Sequence, residues 1–270
     1  MKKVIHIYPP LIAGRLVLRY KRFLCDVLLS ETGELVTCHL ANPGSMLGMC
    51  VKNCEVRLSQ AQDLGKRKHR FTVEAVKVGD VWIGCNTMLA NRVLKRLLAD
   101  LEISEISSSE KLVTEYKLGH RRFDFAVIDC QSGELVQIME AKTVTMANDW
   151  YDIETKNESA RDVKRKIPTT RPPECIGNRK IGLFPDSESK RATQHLLALK
   201  EISNRIPVRL LYFVSRGDVD TVLPSVACDS RYSAVYGDFK QQKNVFVHTV
   251  LVDFQMEDPG NCRLVLRDVV

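Results

Sequence analysis

From Arg15 to Cys85 apolar and polar residues alternate in short runs, the period-two pattern of half-buried strands. The runs are Arg15 to Tyr20, Phe23 to Ser30, Glu34 to Leu40, Glu55 to Gln60, Arg70 to Val78 and Val81 to Cys85. Turn-forming residues separate them at Thr32-Gly33, Asn42-Pro43-Gly44, Asp63-Leu64-Gly65 and Gly79-Asp80, and the pattern predicts a small all-β barrel. The period then changes. Leu89, Val93, Leu97 and Leu101 recur on one face of a helix that Asn86 or Thr87 can cap, with Arg92, Lys95 and Arg96 elsewhere on its surface. A serine-rich piece, Ser104 to Ser109, leads into a strand from about Leu112 to Leu118 that carries Glu115.

Two apolar runs follow, 122–130 and 135–144, separated by Gln131-Ser132-Gly133-Glu134, the pattern of a β-hairpin feeding a buried sheet. Further on, Asp186 can cap a second helix, with Glu188 in its first turn and Leu196, Leu197 and Ile202 facing inward. Val208 to Val214 reads as a buried strand, Asp229 to Gln241 as a helix and Val245 to Phe254 as a strand, which together predict a mixed sheet with helices. The expected fold class is α+β or mixed, in two units, residues 1–86 and 87–270.

Asp124, Glu140 and Lys142 interrupt the apolar runs of the hairpin, and a charge inside a central strand costs several kcal/mol unless it is paired, hydrated or bound to a metal. Glu140 and Lys142 point to one face, roughly 6.6 Å apart along the backbone. Asp124 joins them only if the register sets it beside Glu140. A two-residue loop at Ser132-Gly133 would place it opposite Ala141 instead, so an odd-length loop or a compensating bulge is expected. Carboxylates from Asp124, Glu140 and Glu115 converging on one point would bind a hard cation, Mg2+ or Mn2+, while the Lys142 ammonium assists an attacking water: the constellation of a phosphodiesterase. The alternative is a buried Glu140–Lys142 ion pair with Asp124 capping a turn.

A net charge of +7 and a pI near 8.9 favour a polyanionic partner. Two basic clusters could meet it: Arg19, Lys21 and Arg22, which flank Tyr20, a candidate stacking residue, and Phe23, whose alternative place is the core, and Lys66-Arg67-Lys68-His69-Arg70 in a loop. Nine cysteines, an odd number, suit reduced thiols, and Cys50-x-x-x-Cys54 near Cys38 and His39 is too loose a spacing for structural zinc. No apolar run is long enough for a membrane span and the start lacks a secretory signal, so a soluble, cytoplasmic protein is expected.

Several motifs carry a resemblance: Arg19-Tyr20-Lys21-Arg22-Phe23-Leu24, Asn42-Pro43-Gly44-Ser45-Met46, Cys85-Asn86-Thr87 with Ala90-Asn91-Arg92, Glu115 to Gly119, Arg122 to Phe125, Glu140 to Thr145, and Phe184-Pro185-Asp186 with Arg191 and His195. In these and their order the chain resembles the sugar fermentation stimulation protein A family, and Asp124 with Glu140-Ala141-Lys142 resembles the D…E-x-K pattern of PD-(D/E)xK nucleases. The resemblance implies an N-terminal OB-like barrel, a restriction-endonuclease-like α/β domain, and DNA binding, with RNA open as a partner. It makes Arg92, Arg191 and His195 further candidates to approach phosphate, although a structural role for His195 stands beside that one. Against the family pattern, Ala192 and Gln194 replace a usual Gly and Lys, and residues 148–180 read as an inserted, mobile, basic loop with Pro168, Pro172 and Pro173. Two functions follow: a metal-dependent nuclease, or a regulatory DNA-binding protein without turnover.

Overall fold

The computed structural model describes residues 3–63, 65, 67–100, 106–158, 160, 168, 170, 172–174, 179–258 and 261–270. Strand β1 (Lys3–Ile7) stands apart from the barrel that follows it. Six strands, β2 (Ile12–Tyr20), β3 (Leu24–Leu29), β4 (Leu35–His39), β5 (Glu55–Gln60), β6 (Phe71–Val78) and β7 (Val81–Gly84), pair in the order β4-β3-β2-β5-β6-β7. A parallel contact of β4 with β6, Cys38 against Phe71 and His39 against Thr72, closes five of them into an OB-like barrel. The alternation works as the pattern predicts. Cys25, Val27 and Leu29 of β3 point inward to Val56, Leu58 and Val73, and each fully buried aliphatic side chain contributes about 1.5–3 kcal/mol.

Helix α1 (Thr87–Ala99), capped by the Asn86 side chain on Met88 N–H, leads into β8 (Glu110–Leu118), β9 (Arg121–Asp129) and β10 (Leu135–Val144). After α2 (Trp150–Lys156) come β11 (Lys180–Phe184), α3 (Lys190–Ile202), β12 (Val208–Val214), β13 (Val219–Pro224), α4 (Ser230–Lys240), β14 (Val245–Asp258) and β15 (Asn261–Val269). The main sheet runs β1-β15-β14-β12-β10-β9-β8, with β10, β12 and β14 parallel at its centre, and β11 pairs in parallel with β13 outside it. Central strands covered on both faces are nearly continuous apolar runs, as β12 is apart from Arg209 near its start. Leu89, Val93 and Leu97 of α1 pack on Phe125, Met139 and Leu211, while Leu196, Leu199, Tyr232 and Phe239 of α3 and α4 cover Ile138, Leu210 and Tyr212.

Several expectations are corrected here. β1 pairs with β15 in the main sheet and not with the barrel strands; Val4 and His6 find their backbone partners in Val265 and Leu264. Ser189, not Asp186, caps α3, accepting from Ala192 N–H at 3.2 Å, because Asp186 is engaged elsewhere. Leu197 is exposed, and Ala198 and Leu199 take the inward positions. Leu101 and residues 102–105 lie outside the described residues. So do Lys66 and much of the 148–180 segment, including Lys164, Arg165, Lys166 and Arg171.

What is described of that segment is docked. Trp150 is fully buried beside Gly48, Gly48 N–H donates to Glu154 at 2.8 Å, and Ala160 enters the barrel core, donating to Cys50 O at 2.8 Å and accepting from Arg19 N–H at 2.5 Å. A mobile loop is therefore not what residues 148–158 and 160 form. Barrel and sheet also meet directly. Gly84 N–H donates to Ser215 O at 2.8 Å, Ser215 Oγ donates to Gly84 O at 2.5 Å, and Thr87 donates to Ala41 O from both N–H and Oγ1. Among the described residues no helix is long and apolar enough to cross a membrane.

Candidate active site

Register brings the acidic residues together. The hairpin closes with Asp129 N–H donating to Glu134 O, a four-residue loop in which Gly133 has φ +72°. Continued unbroken, that pairing would set Asp124 against Met139. A bulge at Val136 moves the register by one residue, from Leu135 opposite Ile128 to Gln137 opposite Val127 and Met139 opposite Phe125. Asp124 therefore falls beside Glu140. The ladder stops there, and the Asp124 carboxylate takes the place of a backbone acceptor, receiving Ala141 N–H at 2.8 Å and Asn91 Nδ2 of α1 at 2.8 Å.

Glu140 is buried, at 3% exposure, and approaches α3. Its Oε1 accepts from Lys142 Nζ at 2.5 Å and meets His195 Nδ1 at 2.5 Å, while its Oε2 is buried with no hydrogen-bond donor among the described residues. The two carboxyls are driven in opposite directions. Burial, and then the Glu140 charge, push the Asp124 pKa above its ordinary value against the opposing Ala141 N–H, Lys142 and Asn91. Burial also pushes Glu140 up, but Lys142 and His195 outweigh it and hold Glu140 below the usual carboxylate range.

Both carboxylates and Lys142 line a cleft of about 640 Å3 between barrel and sheet. Its barrel wall carries Arg22, Phe23 and the Asn42-Pro43-Gly44 loop; its far wall is the Phe184–Ser189 connection and Arg191. Asp186 clamps the walls together, its Oδ2 accepting from Met46 N–H at 2.8 Å and its carbonyl accepting from Ser45 Oγ. Gly44 is required there, since a Cβ would sit 2.4 Å from Asp186 Oδ2.

Other sequence candidates lie apart from this cluster. Glu115 has φ +55°, is exposed and pairs with Arg122 at 3.1 Å, so its carboxylate is directed to solvent. Among the described residues no three His, Cys, Asp or Glu side chains gather closely enough to hold a metal by themselves. Arg19 is buried and structural: it donates to the carbonyls of Ser45, Arg22, Asn42 and Gly44 at 2.7–3.1 Å. Tyr20 is half-buried, its hydroxyl donating to Asp26 at 2.8 Å. Lys21 and Arg22 sit at the exposed hairpin tip with φ of 45° and 64°, and Arg67, Lys68 and Arg92 surround a separate cavity. Phe23 does not take the core position that is its alternative reading: it is 41% exposed at the cleft mouth with Arg22 against its ring. The available signal was its position directly after the hairpin tip, since such tips run over the surface. Asn91 and Asp186 fall in motifs of the resemblance, but no local pattern points to their contacts with Asp124 and Met46.

An OB-like barrel set against a nuclease-like α/β sheet, with paired carboxylates in the cleft between them, defines the class of this protein. Residues 17–85 match the SfsA N-terminal OB domain, and residues 174–258 match the sugar fermentation stimulation protein RE domain. A sugar fermentation stimulation protein homolog from a Synechocystis species is 35% identical over 233 residues, spanning 85% of this chain and 84% of its own. Another, from a Picosynechococcus species, is 32% identical over 264 residues, 95% of this chain and 90% of its own. The chain belongs to the sugar fermentation stimulation protein family. The solved structure described as Pyrococcus furiosus SfsA in complex with Ca2+ shares the fold, with a TM-score of 0.74 over 100% of this chain and 98% of that one at 15% identity.

Proposed function

We propose that the chain binds nucleic acid, DNA before RNA, and hydrolyses phosphodiester bonds in the cleft with Mg2+ or Mn2+, Asp124 and Glu140 being the residues that would hold the cation. The observation that carries this reading is the buried Glu140 Oε2, a charged oxygen with no donor among the described residues, beside a second carboxylate that the Glu140 charge already disturbs. Such an atom costs free energy until something positive reaches it. Two carboxylates are enough, because Mg2+ is usually held through one or two, with water and substrate phosphate completing its shell. That the Pyrococcus furiosus protein is described with Ca2+, another oxygen-seeking cation, supports the same donor chemistry. When bound, the cation supplies Lewis-acid polarisation of phosphate and a more acidic water.

The chain's own groups do the rest. Lys142 brings an ammonium that offsets charge gathering on the phosphate, and His195 fixes the Glu140 carboxylate from the α3 side. Arg22 and Arg191 present cations at the two rims, and Phe23 offers a face on which a base can stack. The non-catalytic reading is favoured by one observation: the Lys142 ammonium and the His195 ring already contact Glu140 Oε1, so the acidic cluster is held without a cation.

Incubating labelled single- and double-stranded DNA and RNA with Mg2+, Mn2+ or EDTA separates the two. Hydrolysis is expected only with metal, falling at least about a hundredfold, or about 2.7 kcal/mol in the barrier, in Glu140→Gln and in Lys142→Ala. Strands retained but left intact by wild type in every buffer would establish the binder.

A further inference from the structure

A second cavity, about 1010 Å3, opens between the barrel and the start of α1 and shares no lining residue with the carboxylate cleft. Thr87 and Asn91 of α1 face the cleft, whereas Met88 and Arg92 face this cavity. Its cations come from two parts of the chain, Arg67 and Lys68 of the loop before β6 and Arg92 of α1, and three imidazoles, His6 of β1, His39 of β4 and His69, line it beside them.

The acids that face the same space are engaged. Glu74 accepts from Ser59 Oγ at 2.6 Å and Asn86 Nδ2 at 2.9 Å, and Asp63 accepts from Gly65 N–H at 3.0 Å. Lys68, His69 and Arg92 make no ion pair among the described residues, and Arg67 has only a long contact of 3.5 Å to Thr72 Oγ1. Their fields reach the histidines: burial first, then His69 and Arg67, hold the His39 pKa below its ordinary value, and burial, then Arg92 and Arg96, do the same to His6. Helix α1 adds its positive end with no acidic residue in its first turn. Like charges assembled round a concave surface repel one another until an anion enters, and guanidinium and ammonium groups at its rim match phosphate oxygens. The convergence of cations from the loop and from α1 on one concave surface sets this cluster apart from a basic loop alone.

We propose that this cavity is a phosphate-binding site for nucleotides, offered either as free mononucleotide or as part of a nucleic-acid strand. It goes beyond the cleft reading, since it requires neither a cation nor hydrolysis. Calorimetric titration of the full chain in EDTA with thymidine 5′-monophosphate, thymidine and a short single-stranded oligothymidylate tests it with the cation chemistry silenced. Thymidine monophosphate is expected to bind and thymidine not. The Lys68→Gln/Arg92→Gln double variant and, independently, Arg67→Gln should weaken the phosphate-bearing probes about tenfold or more. All three side chains are exposed, so melting temperatures should stay at the wild-type value. Oligothymidylate bound far more tightly than the monophosphate identifies a strand as the source; equal affinities identify a small nucleotide, and both outcomes support the site. The proposal is overturned if neither phosphate-bearing probe binds wild type, if thymidine binds as well as its phosphate, or if the substituted chains bind unchanged.

Discussion

Glu140 carries two loads at once, as the anion of a buried triad with Lys142 and His195 and as the bearer of an oxygen that has no hydrogen-bond donor among the described residues. Side-chain exposures of 4% for Glu140, 15% for Lys142 and 17% for His195 place the triad where charge removal is expensive. Glu140→Gln should therefore destabilise the protein by about 3–5 kcal/mol at neutral pH in EDTA, read by denaturant unfolding. Its pH dependence follows from the direction of each shift. Glu140 is depressed, so its stabilisation is present above the unfolded carboxylate range and lost as pH falls through its folded value. Asp124 is raised, so stability declines as pH climbs from the ordinary carboxylate range through that raised value. Thermal melts should show Asp124→Asn without the decline and Glu140→Gln without the acid loss; a Glu140→Gln profile parallel to wild type would contradict this assignment. The Glu140–Lys142 pairing was legible because strand alternation is a local rule. Glu115 was not, because a left-handed backbone angle turns its side chain away from the face its position implies.

At the level of elements, the strands and helices follow their periodicities closely, and so does the need for a compensating irregularity in the 121–144 hairpin, met by the bulge at Val136. Local reading fails where a distant segment competes. Asp186 looks like a helix cap, but Met46 N–H, 140 residues away in the chain, takes its carboxylate, and Ser189 caps instead. Arg19 looks like a phosphate ligand, but the carbonyls of the 42–45 loop fold over it. Arg19→Met should consequently cost about 3 kcal/mol or more in stability, from carbonyls left without donors, while Arg19→Lys recovers only part. Gly44→Ala drives a methyl into Asp186 and should both destabilise and loosen the cleft wall, seen as faster exchange of the Met46 amide. Exchange at Met46 unchanged in that variant would mean the clamp is not there.

Across the whole molecule, barrel and sheet are not independent units joined by a linker. Ala75 of the barrel packs in the α1 core, Ala160 from the segment after α2 packs in the barrel core, and Gly84 bonds to Ser215 across the junction. Calorimetry should accordingly show one unfolding transition; two resolved transitions would contradict the shared core. This arrangement was hidden from the sequence, because hydrophobic period reports which face is buried and not against what. It matters for function, since the cleft exists only where the Asn42–Gly44 loop, α1 and the Phe184–Ser189 connection meet. Direct titration with Mn2+, followed by calorimetry, tests the central claim with no substrate present. Saturable binding at one site that disappears in both Asp124→Asn and Glu140→Gln is the expected result. No binding to wild type, or binding that survives both substitutions, would contradict it.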